Sequence, residues 1–418
     1  MSPEIDWRAE YAALATRLPE IVRHSRLTLG GFSTCVDIYL SLRAAMAPLA
    51  AAAKDCPQGA AMLAELARRA ASGIGGELFV DWPEGPAWID RHVEGRQAIG
   101  GTSAQAAYML ASLGARALIA VEDRSARQLA VLHPAVLLAG PSGLLPVAAL
   151  AGDGPAQPPH YIFEFTAGET IAGVTVPRSS RTIVRFDHSA LQRDPAFVAS
   201  SLGAAATAGA GILCGFNELP PSTAEVEIAY AAGIARAWRS AGLALVHVEL
   251  GDFDDPAVAE VTVNGLLPEA TSVGMSRSEL AHFATEGEAA EATAIRFAER
   301  HGLTRVCVHA DEWAFTVSRD DPDREREALA VGCLLAATRA ANGYFATPTG
   351  APAGAQFMPP PLPPASRRGD WSIACCPAPW LEKPAATIGL GDTFLAGTLL
   401  VLGAVPQPSD PALALETP

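Results

Sequence analysis

Cysteine is scarce. The chain has seven in 418 residues, with no CxxC pair and no Cys/His grouping at zinc spacing, so neither a disulfide framework nor a zinc module is expected. The thiols read as reduced, and the adjacent Cys375 and Cys376 as ordinary strand or loop residues rather than a strained redox pair. Long lipid-facing runs are missing as well: Leu129 to Ala151 is interrupted by proline and Val198 to Phe216 by glycine. The N-terminus, MSPEIDWRAEYAAL, lacks the basic and apolar regions of an export signal, so a cytoplasmic address is expected. Charge is low at 18 %, and Lys+Arg 30 against Asp+Glu 45 leaves −15 at pH 7. That balance repels phosphate backbones and anionic lipid, so no nucleic acid and no membrane is expected among the partners.

Several catalytic signatures are absent too. There is no G-x-x-x-x-G-K-(S/T), which excludes a P-loop, and no clean G-x-G-x-x-G after a first strand. Neither a G-x-S-x-G nucleophile elbow nor an HExxH zinc motif occurs, so hydrolase and metalloprotease readings have no residues to rest on.

What is present is alternation. Short buried β-type runs, Leu27 to Phe32, Arg116 to Val121, Pro134 to Leu138, Gly211 to Phe216, Leu243 to Leu250 and Arg305 to His309, alternate with helical patterns such as Ser222 to Ala241 and Gly287 to Arg300. This predicts an α/β fold with a mostly parallel central sheet flanked by helices. Two stretches break the rhythm. Asp55 to Glu94 is rich in Gly, Pro and aromatic residues, and His160 to Asp187 alternates apolar and polar residues like a half-buried antiparallel sheet. They read as insertions forming a smaller β-rich lid, residues 41–97 and 158–180, over a large domain of residues 1–40, 98–157 and 181–418. Pro348 to Arg368, with MPPPLPPAS inside it, reads as a loop or irregular crossing.

The strongest local signal is ATIGLGDTFLAGTLL, Ala386 to Leu400. Glycines let backbone approach an anion, and a helix starting there aims free N–H groups and its positive dipole end at it. Asp392 at that start suits the removal of a proton from a hydroxyl while the amides of Gly389, Leu390, Gly391 and Asp392 form an anion hole for a transferred phosphoryl group. An Asp merely following a tight turn is the plain alternative.

GLGDTFLAG resembles the G-(A/L)-G-D signature of ribokinase-fold sugar kinases, and its GLGDT form is closest to the ADP-dependent glucokinase and phosphofructokinase family. The resemblance runs on in the family's order. GFSTCVDIYL, from Gly31, is similar to a strand end whose sugar-binding aspartate falls on Asp37. RQAIGGTSAQAAYMLASLG, from Arg96, resembles the family's double-glycine turn, placing Gly100, Gly101 and Thr102 at the sugar pocket. LGARALIAVEDRSARQLAVL is similar to a strand with a Ser-x-x-Gln segment. HYIFEF at 160 and PRSSR at 177 resemble the passage from lid to body, where the residue matching Arg181 bridges nucleotide phosphates. VHVEL at 246 resembles an HxE motif whose glutamate, Glu249, organises magnesium, and SVGMSRSEL at 272 is similar to a segment placing Glu279 at the metal. RVCVH at 305 resembles a strand beside the nucleotide, which makes His309, with Gly391, a nucleotide contact.

The resemblance therefore implies a ribokinase-like fold and a kinase using ADP, magnesium and a hexose or hexose phosphate, glucose or fructose 6-phosphate. Asp392 acts as base and Arg181 balances charge; Glu94 is a candidate for rejecting a sugar phosphate. Each residue also has a plainer reading. The glycines can form only a turn, Asp37 can cap a helix from Ile38, Arg181 can be a solvated charge, and Glu249 can pair with a neighbouring Lys or Arg. The chain departs from the family pattern at Ser180, Ser276 and Thr102, where Asn, Asn and Gln are expected, so a rearranged sugar pocket or metal water shell is expected. ATP as donor, or a non-catalytic sugar- or nucleotide-binding sensor, are the alternative readings, in a monomer or small homo-oligomer.

Overall fold

The computed structural model describes residues 5–141, 143–186, 191–253 and 255–405. Asp187, the end of the expected strand-rich stretch, and residues 406–418 of the expected large domain lie outside the described residues. Among the described residues, eleven strands form one sheet in the order Ala365–Arg368, Trp371–Pro377, Trp313–Ser318, Arg305–His309, Ser272–Ser276, Val246–Glu249, Ala210–Leu213, Thr28–Gly31, Ala117–Ile119, Leu137–Gly140, Gly143–Pro146. The run from Arg305–His309 across to Leu137–Gly140 is parallel, and the strands outside it are antiparallel. This is the α/β class expected from the alternation. All six predicted strands are present, shifted by a few residues at their ends; Pro134, for example, precedes its strand instead of opening it.

Parallel strands need crossovers, and the helices that supply them bury both faces of the sheet. Trp238, fully buried on helix Ala224–Ser240, anchors one face and donates its indole N–H to Ser201 Oγ at 2.9 Å. The other face is covered by Trp7–His24, Thr102–Ser112, Pro322–Asn342 and Leu390–Leu402. Helix Ala290–His301 stops at Gly302, whose φ of 68° forms a left-handed cap.

A second, five-stranded sheet has the order Gly76–Phe79, Ser180–Arg185, His160–Phe165, Cys35–Ser41, Arg96–Gly100. His160–Phe165 and Ser180–Arg185 pair antiparallel, as their alternation predicts. The stretch Asp55 to Glu94 is mostly helical, with Pro57–Ser72 and Gly85–His92 around one strand, and it packs with the buried Leu63, Leu66 and Trp88 behind the small sheet. Pro57 and Pro86 open helices instead of breaking them, because the first helical turn needs no N–H from them. Two further expectations need correction. Asp37 does not cap a helix, since its strand continues to Ser41; and the proline-rich segment ends in an edge strand, Ala365–Arg368, that begins just after its last proline.

The order of the large sheet reverses between Thr28–Gly31 and Ala210–Leu213. Ligand crevices of open α/β sheets lie beyond the strand carboxyl ends at such a point. The chain leaves for the small sheet directly after Gly31 and re-enters the body at Gly101. No helix among the described residues is long and apolar enough to cross a membrane.

Candidate active site

A cleft opens at this reversal, between the two sheets. Asp37, Gly101, Thr102, Arg181, Glu249, Gly389 and Asp392 all line it, though they come from five segments spread along the chain. Asp392 lies in the first turn of helix Leu390–Leu402, whose N-cap is Gly389 at φ 70°. A Cβ at Gly389 would strike the Arg339 guanidinium and the Gln105 amide, so only glycine fits between them. The N–H groups of Leu390, Gly391 and Asp392 belong to the helix's unpaired first turn and form a site for an anion. Burial raises the Asp392 carboxyl above the ordinary aspartate range; the Arg339 charge and a hydrogen bond from the Thr102 hydroxyl oppose that rise.

Gly101 is the N-cap of helix Thr102–Ser112, with φ 85°. A Cβ there would come within 2.6 Å of the Ser33 backbone, so at the double-glycine turn the two passages between sheets approach closely. Gly100 ends its strand beneath Asp37 and Cys35. Asp37 itself is buried, and loss of water pushes its carboxyl up to about 7 although the Cys35 thiol bonds to it. Arg181 sits across from Glu164 on the small sheet, half-buried at the cleft wall and not solvated outside it. Glu77 and Glu218 add two more carboxylates, and both clasp Arg185, at 2.8 Å and 3.1 Å.

Glu249 ends its strand with histidines as partners, where sequence reasoning suggested Lys or Arg. His247 Nε2 lies 2.9 Å from Oε2 and His309 Nε2 3.4 Å from Oε1. Burial works to raise this carboxyl, but the two imidazoles outweigh it and hold it down at about 2. His309 is raised in turn, since Glu249 overrides the effect of burial. Its ring lies against Gly391, where a Cβ would stand 3.5 Å from Cε1, which puts it beside the anion hole. Glu279 is outside the cleft lining. Its carboxylate accepts from Ser276 N at 2.7 Å while Ser276 Oγ accepts from Glu279 N at 3.2 Å, a capping box for helix Arg277–Ala281. Burial first, then the charge of Glu249, pushes Glu279 up to about 7.

Glu94 is not brought to the site. It is exposed in the turn between helix Gly85–His92 and strand Arg96–Gly100, whereas the strand residue beside Asp37 is Ala98. The residue sequence reasoning missed is Arg339. Buried near the end of helix Pro322–Asn342, it donates to Gly389 O at 2.8 Å, Thr393 Oγ1 at 2.9 Å and Gln105 Oε1 at 2.6 Å. It thus ties together the start of the Asp392 helix and the helix after the double glycine.

The conserved region of the ADP-specific phosphofructokinase/glucokinase family matches residues 29–401, from the first strand of the large sheet to the end of the Asp392 helix. The chain belongs to this family. An ADP-specific phosphofructokinase of Pyrococcus furiosus is 26 % identical over 185 residues, a match spanning 37 % of this chain and 41 % of that relative's length. Among solved structures, a phosphofructokinase from Pyrococcus horikoshii OT3 with AMP is 17 % identical, covers 90 % of this chain and 98 % of its own, and has a TM-score of 0.72. An ADP-dependent kinase in complex with fructose-6-phosphate and ADPbetaS is also 17 % identical, with a TM-score of 0.75 over 96 % of this chain and 99 % of its own. At that identity the likeness carries the fold, and the fold is the one the GLGDT resemblance implies.

Proposed function

We propose that this protein is a sugar kinase that moves a phosphoryl group from ADP to a hydroxyl of a hexose. One observation carries the reading: Asp392 stands in the first turn of a glycine-capped helix at the cleft that Asp37 and Arg181 also line. Membership of the ADP-specific family supports ADP as donor. Asp37 and the Gly100–Gly101 turn hold sugar hydroxyls. Asp392 takes the proton of the attacking hydroxyl, the amides of Leu390 to Asp392 receive the phosphoryl in flight, and Arg181 balances donor charge. His309, against Gly391, faces the nucleotide end. Asp37, Glu77 and Glu218 make the acceptor end acidic, and Arg185 is already engaged by two of them, which favours a neutral hexose over a hexose phosphate. The small sheet acts as the lid that keeps water from the phosphoryl group.

Magnesium fits this site. Glu279 is raised partly by the negative charge of Glu249, so a hard cation near the two relieves a repulsion, and carboxylate oxygens are the donors magnesium accepts. Glu249 and Glu279 are the residues that would hold it, chiefly through water, and the ion would supply charge neutralisation of the donor phosphates. The test is phosphoryl transfer with magnesium, crossing ADP and ATP against glucose, fructose 6-phosphate and a panel of sugars and nucleosides. AMP and a sugar phosphate formed from ADP support the reading. ADP formed from ATP changes the donor, and sugar binding without turnover replaces the kinase by a sensor.

A further inference from the structure

Three unlike ligating groups meet at the acceptor end of the cleft. Cys35 and Asp37 are alternate residues of strand Cys35–Ser41 and so share a face, and His160 is the register partner of Asp37 on the adjacent parallel strand. Cys35 Sγ lies 3.6 Å from Asp37 Oδ1 and 3.6 Å from His160 Nδ1, and Nδ1 is 3.9 Å from Oδ1. A tetrahedral zinc ion, with bonds of about 2.3 Å to sulfur and about 2.0–2.1 Å to nitrogen or oxygen, sets its ligand atoms roughly 3.3–3.6 Å apart. The sulfur distances already match, and a small turn of the Asp37 carboxylate closes the remaining edge. Gly100, paired with Cys35, keeps the space open, because a Cβ there would stand 2.6 Å from Sγ.

We propose that Cys35, Asp37 and His160 form a binding site for a thiophilic divalent cation of the zinc class, with its fourth position open to the cleft. Magnesium is not its ion, since sulfur and imidazole are poor ligands for that hard cation. Binding replaces the thiol proton, which passes to solvent, by a metal–sulfur bond. With a thiolate, a carboxylate and a neutral imidazole around a dication, the assembly carries no net charge, which suits a floor where Asp37 is 5 % and His160 8 % exposed. Resting on the sugar-kinase reading, the same step takes Asp37 away from the acceptor, so the cation excludes the sugar.

Cobalt(II) is the probe. Titrated into the full chain, it should give a thiolate-to-cobalt charge-transfer band saturating at one ion per chain, which zinc abolishes. The band should vanish in Cys35→Ser and persist in Cys56→Ser, the other cysteine that is not fully buried. In His160→Gln, which keeps the thiol, cobalt affinity should fall by about tenfold or more. A missing band, or one that survives Cys35→Ser, overturns the site; so does unchanged affinity in His160→Gln. With magnesium in excess, zinc should raise the apparent KM for the sugar at constant kcat and a chelator should reverse it, whereas a fall in kcat at constant KM overturns the exclusion. The spectrum needs no turnover, so a Cys35-dependent band in a protein inactive on every sugar leaves the metal site standing and removes only the kinase reading.

Discussion

Arg339→Met is the substitution that tests how the base is tuned. The guanidinium bonds to Gly389 and Thr393, which bracket Asp392 within a single helical turn of about 5.4 Å pitch. A unit charge within a helical turn of the carboxylate, at an effective dielectric near 20, is worth on the order of 1–2 kcal/mol. Removing it should raise the Asp392 pKa further, on top of the rise burial already causes, and such an energy converts to pH at about 1.4 kcal/mol per unit. The acid limb of the kcat profile should therefore move to higher pH by about one unit, so activity lost at neutral pH returns in part at alkaline pH. The variant also strands the buried Gln105 oxygen, a cost of about 1–3 kcal/mol, so thermal unfolding must accompany the kinetics. Arg339→Lys restores the charge without the fork that spans three acceptors, and should restore the limb more than the stability. An unmoved acid limb in a folded Arg339→Met protein refutes the electrostatic role and leaves Arg339 as a helix tie alone.

Asp392→Ala should lower kcat by at least about a thousandfold with little change in thermal unfolding, since it removes a carboxyl that burial disfavours; substantial turnover would refute the base assignment. Gly101→Ala forces a side chain onto a φ of 85° and into the Ser33 backbone, so it should cost about 1–3 kcal/mol of stability and raise the KM of the sugar more than that of the nucleotide; a silent substitution would separate the turn from the pocket. Asp37 and Glu279 titrate near 7 in the fold and near 4 when unfolded, so the fold holds their protons through that window and stability falls as pH rises from about 4 to 7. Without metal, Tm should climb as pH is lowered from 8 towards 5, then drop below about 4 as Glu249, depressed to about 2, begins to be protonated. Saturating magnesium, which prefers ionised Glu279, should flatten the upper part, and an identical slope with and without the ion would argue against that carboxylate as its holder.

The strand Arg305–His309 was legible to its ends, because a short run carrying Val306 and Val308 follows Gly302 and stops at the polar residues from Asp311. The Asp392 helix start was legible for a similar reason: paired glycines before an apolar helical run have few other uses. Segment 55–94, rich in Gly, Pro and aromatic residues, was expected to be part of a β-rich lid, but Pro57 and Pro86 occupy first-turn positions where proline favours a helix. Glu94 fell out of the site for the same cause. Helix Gly85–His92 consumes the chain that an irregular insertion would have extended, leaving Glu94 in the turn behind the strand. Arg339 carried no local signal at all. In sequence it is a basic residue in a helix's last turn, where a solvated charge is the ordinary outcome, and only the packing of Pro322–Asn342 beside Leu390–Leu402 buries it.

Acids of one chemical type are given different tasks here by what surrounds them. Glu249 faces two imidazoles and stays ionised, so it is suited to ordering a cation and unsuited to accepting a proton. Asp392 has no imidazole bonded to it; with partial burial pushing it up and Arg339 pulling it down, its affinity for a proton remains high enough to draw one from a hydroxyl. Asp37, deeper and without a cation bonded to its carboxylate, keeps a pKa of about 7, where it can donate to or accept from a sugar hydroxyl with little cost. These environments depend on the cleft that brings together Asp37 from the small sheet, Glu249 from a strand end of the large sheet and Asp392 from a helix start, at the reversal in sheet order. A motif supplies the carboxylate, but the crossing of the sheets sets the surroundings on which the proposed roles of base, cation holder and sugar contact rest.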